Sequence, residues 1–439
     1  MNKSNCLKHG IAIDFFLRAT QSVFAFLYIN LQSLGVTTSI FSTLLLITSI
    51  QALVIFIDFG ESTKIVQEHL GDSASAQKSP YEELFLILKS MKVRSKRVSL
   101  IATLNSLAVS LFGIVASSRF DIKYDLSDGS AVFISVFITF IAWYSGRALI
   151  AVGMIRILLT LQLIAVSIQA GSQYLLYLSD APSTLYFLNT GSAGLVFILL
   201  FLMISWKKAI HNKSTSNSDV NLAKVINRSY ESWKVQFLQI VQVSSLVILP
   251  ILLAWNLSPQ NFSSFSFQLK VSYAITAALG AGLVTNWRSS FLESKPSELE
   301  KSAYEVKPVY QIVSVGVLVT ITICLLLNFV WDDLFNPQYR PSLISWILWP
   351  FVVSSQLAIW HYFYLLIAKK MYYSLIGGTL LQLTSQMLIS WIWNFDNPIL
   401  APLLLLIPQS VCATVYLIKW SGVKPKKTKK IESFMGETN

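Results

Sequence analysis

Some twelve apolar runs, most of them near twenty residues long, follow one another along the chain, and this succession constrains the fold more than any motif does. They fall at roughly 11–31, 37–59, 97–117, 130–147, 150–172, 184–206, 236–256, 262–287, 308–330, 341–368, 371–393 and 398–419. About twenty apolar residues, wound as a helix, cross the ~30 Å hydrocarbon core of a bilayer. That core offers no water to exposed backbone groups, so only helices and closed barrels span it. Runs of this length select the helix. Composition agrees, with 54% of the 439 residues apolar and 13% charged, about half the charged share of a soluble domain.

The basic residues sort by side. Of the 34 lysines and arginines, 29 lie before the first run, in every second connection after it, or in the tail. The remaining connections carry Asp121, Asp125, Asp128, Asp180, Asp332, Asp333 and Asp396 against Arg119, Lys123 and Arg340. Cations collect on the cytoplasmic side of membrane proteins. Both termini are therefore expected in the cytoplasm. The net charge of +12 is then a topology signal, and no nucleic-acid partner is expected. Three widely spaced cysteines give neither a disulfide framework nor a metal site. The first run lacks a small-residue cleavage site after it and reads as a retained helix. Residues 81–100, "YEELFLILKSMKVRSKRVSL", read either as an interfacial amphipathic helix or as an extension of the third span.

An internal repeat divides the chain. The brief turn "INLQSLGVTTSIFS" between the first two spans is matched about 222 residues later by "AWNLSPQNFSSFS" between the seventh and eighth. The fold class is thus expected to be all-α, a polytopic membrane protein of about twelve transmembrane helices in two six-helix lobes. Residues 1–206 form the first lobe, 207–235 a cytoplasmic linker, 236–419 the second lobe and 420–439 a basic tail. An even number of spans per lobe gives a parallel repeat about an axis along the membrane normal, with the site at the interface.

Charges inside such spans cost roughly 2.5–3.5 kcal/mol each at mid-bilayer, so they face a cavity or a partner. Lys270 is the clearest, about 12 Å below the outer end of the eighth run. It lines a cavity, or else it snorkels or forms a structural ion pair. Asp14 and Arg18 stand one turn apart on the first span, either as an interfacial pair or as a cavity cation with its partner. Asp58 and Glu61 close the second run, in "FIDFGESTKIVQEHLG". The letters Asp58-Phe59-Gly60 also spell the magnesium-binding triplet of protein kinases, but the chain has no His-Arg-Asp loop and no glycine-rich phosphate loop. The four histidines are scattered and form no catalytic array. No enzyme, catalytic residue, cofactor or metal site is expected.

"LQSLGVTTSIFSTLLLITSIQALVIFIDFGESTKIVQEHLG", "SGRALIAVGMIRILLTLQLI" and "FLQIVQVSSLVILPILLAWNLSPQNFSSFSFQLKVSYAI" together resemble Wzx-type polysaccharide flippases, a family of the multidrug/oligosaccharidyl-lipid/polysaccharide flippase superfamily. The family motif Asp-Phe-Gly-Leu-Gly stands here as Asp58-Phe59-Gly60-Glu61-Ser62. The resemblance implies transfer of an undecaprenyl-pyrophosphate-linked oligosaccharide, such as an O-antigen unit for lipopolysaccharide, from the cytoplasmic to the outer leaflet by alternating access. Its implied partners are that lipid-linked substrate, membrane lipid, and a glycan polymerase with its chain-length regulator. Arg18 and Lys270 are then the expected cavity cations for the pyrophosphate or an acidic sugar. Asp14, Asp58 and Glu61 are the candidates for ion coupling or gating. A multidrug or cation antiporter of the same superfamily is the main alternative. A membrane glycan polymerase or ligase is a weaker one, because the outward connections are too short to hold a domain.

Overall fold

The computed structural model describes residues 3–55, 57, 80–151, 154–211, 229–293, 307–368, 371–392 and 401–421. Each apolar run is helical over most of its described length, and no strand occurs among the described residues. In chain order the helices are α1 (Lys3–Gly35), α2 (Thr38–Val54), α3 (Pro80–Arg119), α4 (Leu126–Ala151), α5 (Ile155–Leu178), α6 (Ser183–Asn189) and α7 (Ser192–His211). The second half continues with α8 (Ser229–Asn256), α9 (Pro259–Glu293), α10 (Lys307–Leu334), α11 (Leu343–Ala368), α12 (Tyr372–Ile392) and α13 (Ala401–Ser421). Among the described residues, six of these are long and apolar enough to cross a membrane by composition alone, and the bent pair α6 and α7 makes a seventh span. Thr38–Val54 of α2 and Val247–Asn256 of α8 are apolar as well but shorter.

Three elements depart from the hydropathy reading. The second span ends at Val54 instead of running on to 59. The Asn105 amide of α3 explains this by donating to the carbonyls of Val54 at 3.2 Å and Ile57 at 3.0 Å, groups that a helix end otherwise leaves unpaired. The third span begins at Pro80 in one unbroken helix of 40 residues, so residues 81–100 are its extension and not a separate interfacial helix. The sixth span is broken, with α6 and α7 bent by 43°. Gly191 stands at the break, where an added Cβ would meet the backbone of Ser135 in α4. The Thr190 and Ser135 hydroxyls bond at 2.5 Å beside it.

Helices alternate in direction, so the chain has two ends. The basic end carries Arg94, Lys96, Arg97, Arg156 and Lys419, and the acidic end carries Asp121, Asp125, Asp180, Asp332 and Asp333. Asp121 and Asp180 adopt left-handed φ values of 55° and 46° in its turns, a conformation that aspartate tolerates better than most residues. Part of the acidity at this end is therefore turn chemistry.

Helix packing repeats between the halves. α1 lies on α5 as α8 lies on α12, α3 on α4 as α10 on α11, α4 on α7 as α11 on α13, and α5 on α7 as α12 on α13. Contact between the halves runs through α1 with α9, α2 with α8 and α2 with α9. Three main cores result. The largest occupies the acidic end and draws on both halves, with Phe41, Phe120 and Phe187 from one and Phe262, Phe267, Trp331 and Tyr339 from the other. Toward the basic end the described buried side chains fall into separate clusters. One cluster, including Val98, Phe140, Leu149 and Phe197, belongs to the first half. Another, including Leu238, Phe363, Leu375 and Tyr416, belongs to the second.

Candidate functional site

The two shared helices α2 and α9 meet face to face, and their polar contacts run down the interface. At the acidic end the Ser42 and Ser263 hydroxyls bond at 2.7 Å, and Ser42 also donates to the Pro259 carbonyl at 2.9 Å. Deeper, Lys270 Nζ donates to Thr48 Oγ1 at 2.6 Å, across 222 positions of sequence. That separation matches the repeat offset of about 222, so Lys270 bonds a residue at or next to its counterpart in the other half. The Ser42–Ser263 separation of 221 residues is nearly the same. Equivalent positions of two related halves touch each other only on the axis that relates them. Lys270 and Thr48 therefore mark that axis at mid-membrane.

Their depth follows from the helix ends. Lys270 lies eleven residues into α9 and Thr48 ten into α2, about 15–16 Å from the acidic end. This is deeper than hydropathy implied, because α9 starts at Pro259 and not at 262. Ile47 and Val271, their immediate neighbours, are the last fully buried members of the shared core on these two helices. Lys270 and Thr48 are themselves only partly buried, while Ser49 and Leu269 beside them are enclosed. The bond thus sits where the shared core thins, since beyond it Ile50, Val54, Tyr273 and Ile275 pack against that core only partly buried. Among the described residues no carboxylate pairs with Lys270, and the ion pair they contain is Arg340 with Asp332 at the acidic end.

Arg18 occupies a different position. Its guanidinium reaches Gln162 Oε1 of α5 at 3.5 Å, while Gln21 donates to the Leu159 carbonyl at 2.5 Å. The Ser22 hydroxyl contacts the carbonyls of Arg18 and of Ala274 in α9, both at 3.0 Å. Arg18 is one turn toward the basic end from that contact and Lys270 one turn toward the acidic end. The two cations therefore stand about 12 Å apart along the helix axes. The structure brings both to the α1–α9 region without bringing them together. The Asp14 side chain, Asp58 and Glu61 lie outside the described residues, as does any pairing they make.

A half-open pocket in the second half, lined by Gln268, Ser272, Thr320, Trp331, Trp346 and Trp349, lies on the other face of α9. At 100° per residue its α9 members Gln268 and Ser272 point away from Lys270. It is a packing gap between α9, α10 and α11 and not the cation site. Arg147 stacks over the Trp143 ring at 4.1 Å, which anchors the α4 end.

Sequence reasoning passed over Thr48, although the repeat offset already laid it on Lys270. It also passed over the ties that seal the acidic end. Asn30 donates to the Leu334 carbonyl at 2.8 Å, and Asn336 donates to the Ser33 carbonyl at 3.2 Å. Arg119 donates to the Leu257 carbonyl at 3.0 Å and to that of Trp255 at 3.3 Å. Each tie joins the end of an inner helix of one half to a turn of the other.

The same fold is found in solved transporters. The chain superposes on the eukaryotic MATE transporter AtDTX14 with a TM-score of 0.56 at 11% identity, over 95% of this chain and 96% of that one. An outward-facing multidrug resistance MATE family transporter of the MOP superfamily gives 0.55 at 12% identity, over 94% and 95%. The Vibrio cholerae MATE transporter VcmN in its bent form gives 0.54 at 11%, over 96% and 97%. The chain has the MATE fold. At these identities the likeness is one of fold alone. No family model matches the sequence, and no curated protein matches it either. Lys270 and Thr48 lie between the two halves of this fold.

Proposed function

We propose that this chain is a flippase that carries an undecaprenyl-pyrophosphate-linked oligosaccharide from the cytoplasmic to the outer leaflet of the bacterial inner membrane. The observation that carries the reading is Lys270, a cation at mid-membrane on the axis between the halves, with no described carboxylate to neutralise it. Holding an ammonium there costs several kcal/mol of desolvation, and an anionic cargo offsets that cost through charge-assisted hydrogen bonds. Arg18, about 12 Å nearer the basic end, supplies a second positive centre on the entry route. In this reading the halves are the lobes 1–206 and 236–419 joined by the linker 207–235, and both termini and the basic tail 420–439 lie in the cytoplasm. Separate cores at the basic end and a shared core at the acidic end then describe a carrier sealed outward and parted toward the cytoplasm. Rocking of the lobes moves the opening to the other side. Asp14, Asp58 and Glu61 are the positions through which an ion gradient would be coupled, and a glycan polymerase with its chain-length regulator would receive the product.

The second reading is a multidrug transporter, favoured by the fold likeness to a multidrug resistance MATE protein. The two readings differ in the charge of the cargo. Translocation of a fluorescent undecaprenyl-pyrophosphate oligosaccharide in proteoliposomes tests them, beside a drug-resistance assay in cells. We expect translocation by the parent and a loss of at least about tenfold in Lys270→Ala, the size of one charged hydrogen bond. Drug efflux that survives Lys270→Ala, with no glycolipid movement by the parent, would establish the second reading.

A further inference from the structure

We infer that Thr48 is a positioning residue that competes with the cargo for Lys270, so that an oxyanion arriving at the lysine unties α2 from α9. The inference rests on the anion-carrier reading above and adds a regulation of that site. An ammonium has three donors, and Lys270 spends one of them on Thr48. The Thr48 hydroxyl gives its own proton to the Leu45 carbonyl at 3.1 Å, so toward Lys270 it acts only as a neutral acceptor. A phosphate oxygen carries charge and makes a bond roughly twice as strong. It can engage the two remaining donors first, on the side where the shared core thins, and then draw the third away from Thr48.

The position of the bond gives this exchange a consequence. Toward the acidic end, the α2–α9 seam is held by the Ser42–Ser263 and Ser42–Pro259 bonds. At its basic side it is held by Lys270 with Thr48. Releasing that lower tie leaves the seam fastened at one end only. Because both pairs lie on the axis relating the halves, a change there acts on the two halves equally. Cargo binding would thus loosen the seal that must open for the cargo to leave.

Competition has a signature that a purely structural threonine lacks. Inorganic pyrophosphate is titrated calorimetrically into the full chain in lipid nanodiscs. Thr48→Val, which removes the competing acceptor at nearly constant volume, should bind pyrophosphate about tenfold more tightly than the parent, the size of one hydrogen bond to a charged group. Thr48→Ser should bind as the parent does, and Lys270→Gln should not bind. The second measurement uses the pair Ser42→Cys/Ser263→Cys with Cys6, Cys324 and Cys412 replaced by serine. Oxidative crosslinking of that pair should slow about tenfold with pyrophosphate or with Thr48→Val, and Thr48→Ser should restore it. Equal or weaker binding by Thr48→Val overturns the competition while leaving the anion site intact. Pyrophosphate binding with unchanged crosslinking overturns the untying. Absence of any Lys270-dependent pyrophosphate binding overturns the anion-carrier reading itself.

Discussion

The acidic and basic ends of this molecule are built from the same helices but are buried in different ways. At the acidic end Phe267 alone touches Phe26 and Phe41 of the first half and Trp331 and Tyr339 of the second, with ring centroids 5.7–6.4 Å apart. At the basic end Tyr416 bonds Thr379 at 2.7 Å and the Leu375 carbonyl at 2.9 Å, all inside the second half. One end stabilises the contact between halves; the other stabilises each half separately. The carrier proposed above needs both, because its rigid halves would move against each other and not deform.

The largest expected effect tests the shared core. Phe267→Ala removes a fully buried ring and should cost about 3–5 kcal/mol, read as a lower thermal midpoint of the purified protein in detergent. It should also abolish crosslinking of the Ser42→Cys/Ser263→Cys pair. If crosslinking continues unchanged, the acidic end is not held by that core and the comparison fails.

Next in size is the tie at the α1 end. Asn336 donates to the Ser33 carbonyl and its backbone N–H donates to Asn30 Oδ1 at 3.3 Å. Asn336→Ala loses the side-chain bond and leaves that carbonyl less satisfied, a cost of about 1–3 kcal/mol. If the halves rock as proposed, loss of this tie should raise the rate at which the acidic end opens. Accessibility of a cysteine placed at Ser33 to a membrane-impermeant thiol reagent would report it, and unchanged labelling would count against the tie.

Tyr416→Phe supplies the contrast. It removes the bonds to Thr379 and Leu375 and should cost about 0.5–1.5 kcal/mol, while crosslinking across α2 and α9 stays as in the parent. A fall in crosslinking here would show that the basic-end core of one half also governs the contact between halves.

These elements explain what the sequence could and could not reveal. Span number and alternation were legible because apolar length and basic loops are local quantities, set by the bilayer. Lys270 stood out because a charge interrupts an apolar run. Its depth was misjudged, since the polar first turn of α9, from Pro259, lowers hydropathy without ending the helix. The early end of α2 was not legible, because the amide that satisfies it belongs to Asn105, 51 residues away from Val54. The break in the sixth span depends on how closely Gly191 approaches α4, a tertiary distance. Arg18 read naturally as a cavity charge, yet its bond to Gln162 depends on which face of α1 meets α5. Thr48 is the instructive omission. A threonine in an apolar helix carries no signal alone, and only the repeat places it opposite a lysine.

The smallest effect concerns a charge at the acidic end that belongs to one half alone. Asp125 precedes α4; its carboxylate accepts from the Ser127 hydroxyl at 2.6 Å and from the Asp128 backbone N–H at 3.0 Å. Those donors hold the Asp125 carboxyl below its ordinary value of 3.8. A lowered folded-state value means that the ionised cap stabilises the fold fully above the unfolded-state value and fades as pH falls through the folded-state one. Between pH 7 and pH 5 the thermal midpoints of the parent and Asp125→Asn should therefore run parallel, and they should converge only below about pH 4. The group is fully exposed, so solvent screens its contribution and the gap should be small. Crosslinking between the halves should not change over the same range through this residue, because Asp125 caps a helix of the first half and touches neither α8 nor α9 in any described hydrogen bond. If crosslinking did track its titration, the acidic end would act as one electrostatic unit, and the division between shared core and private caps would have to be redrawn.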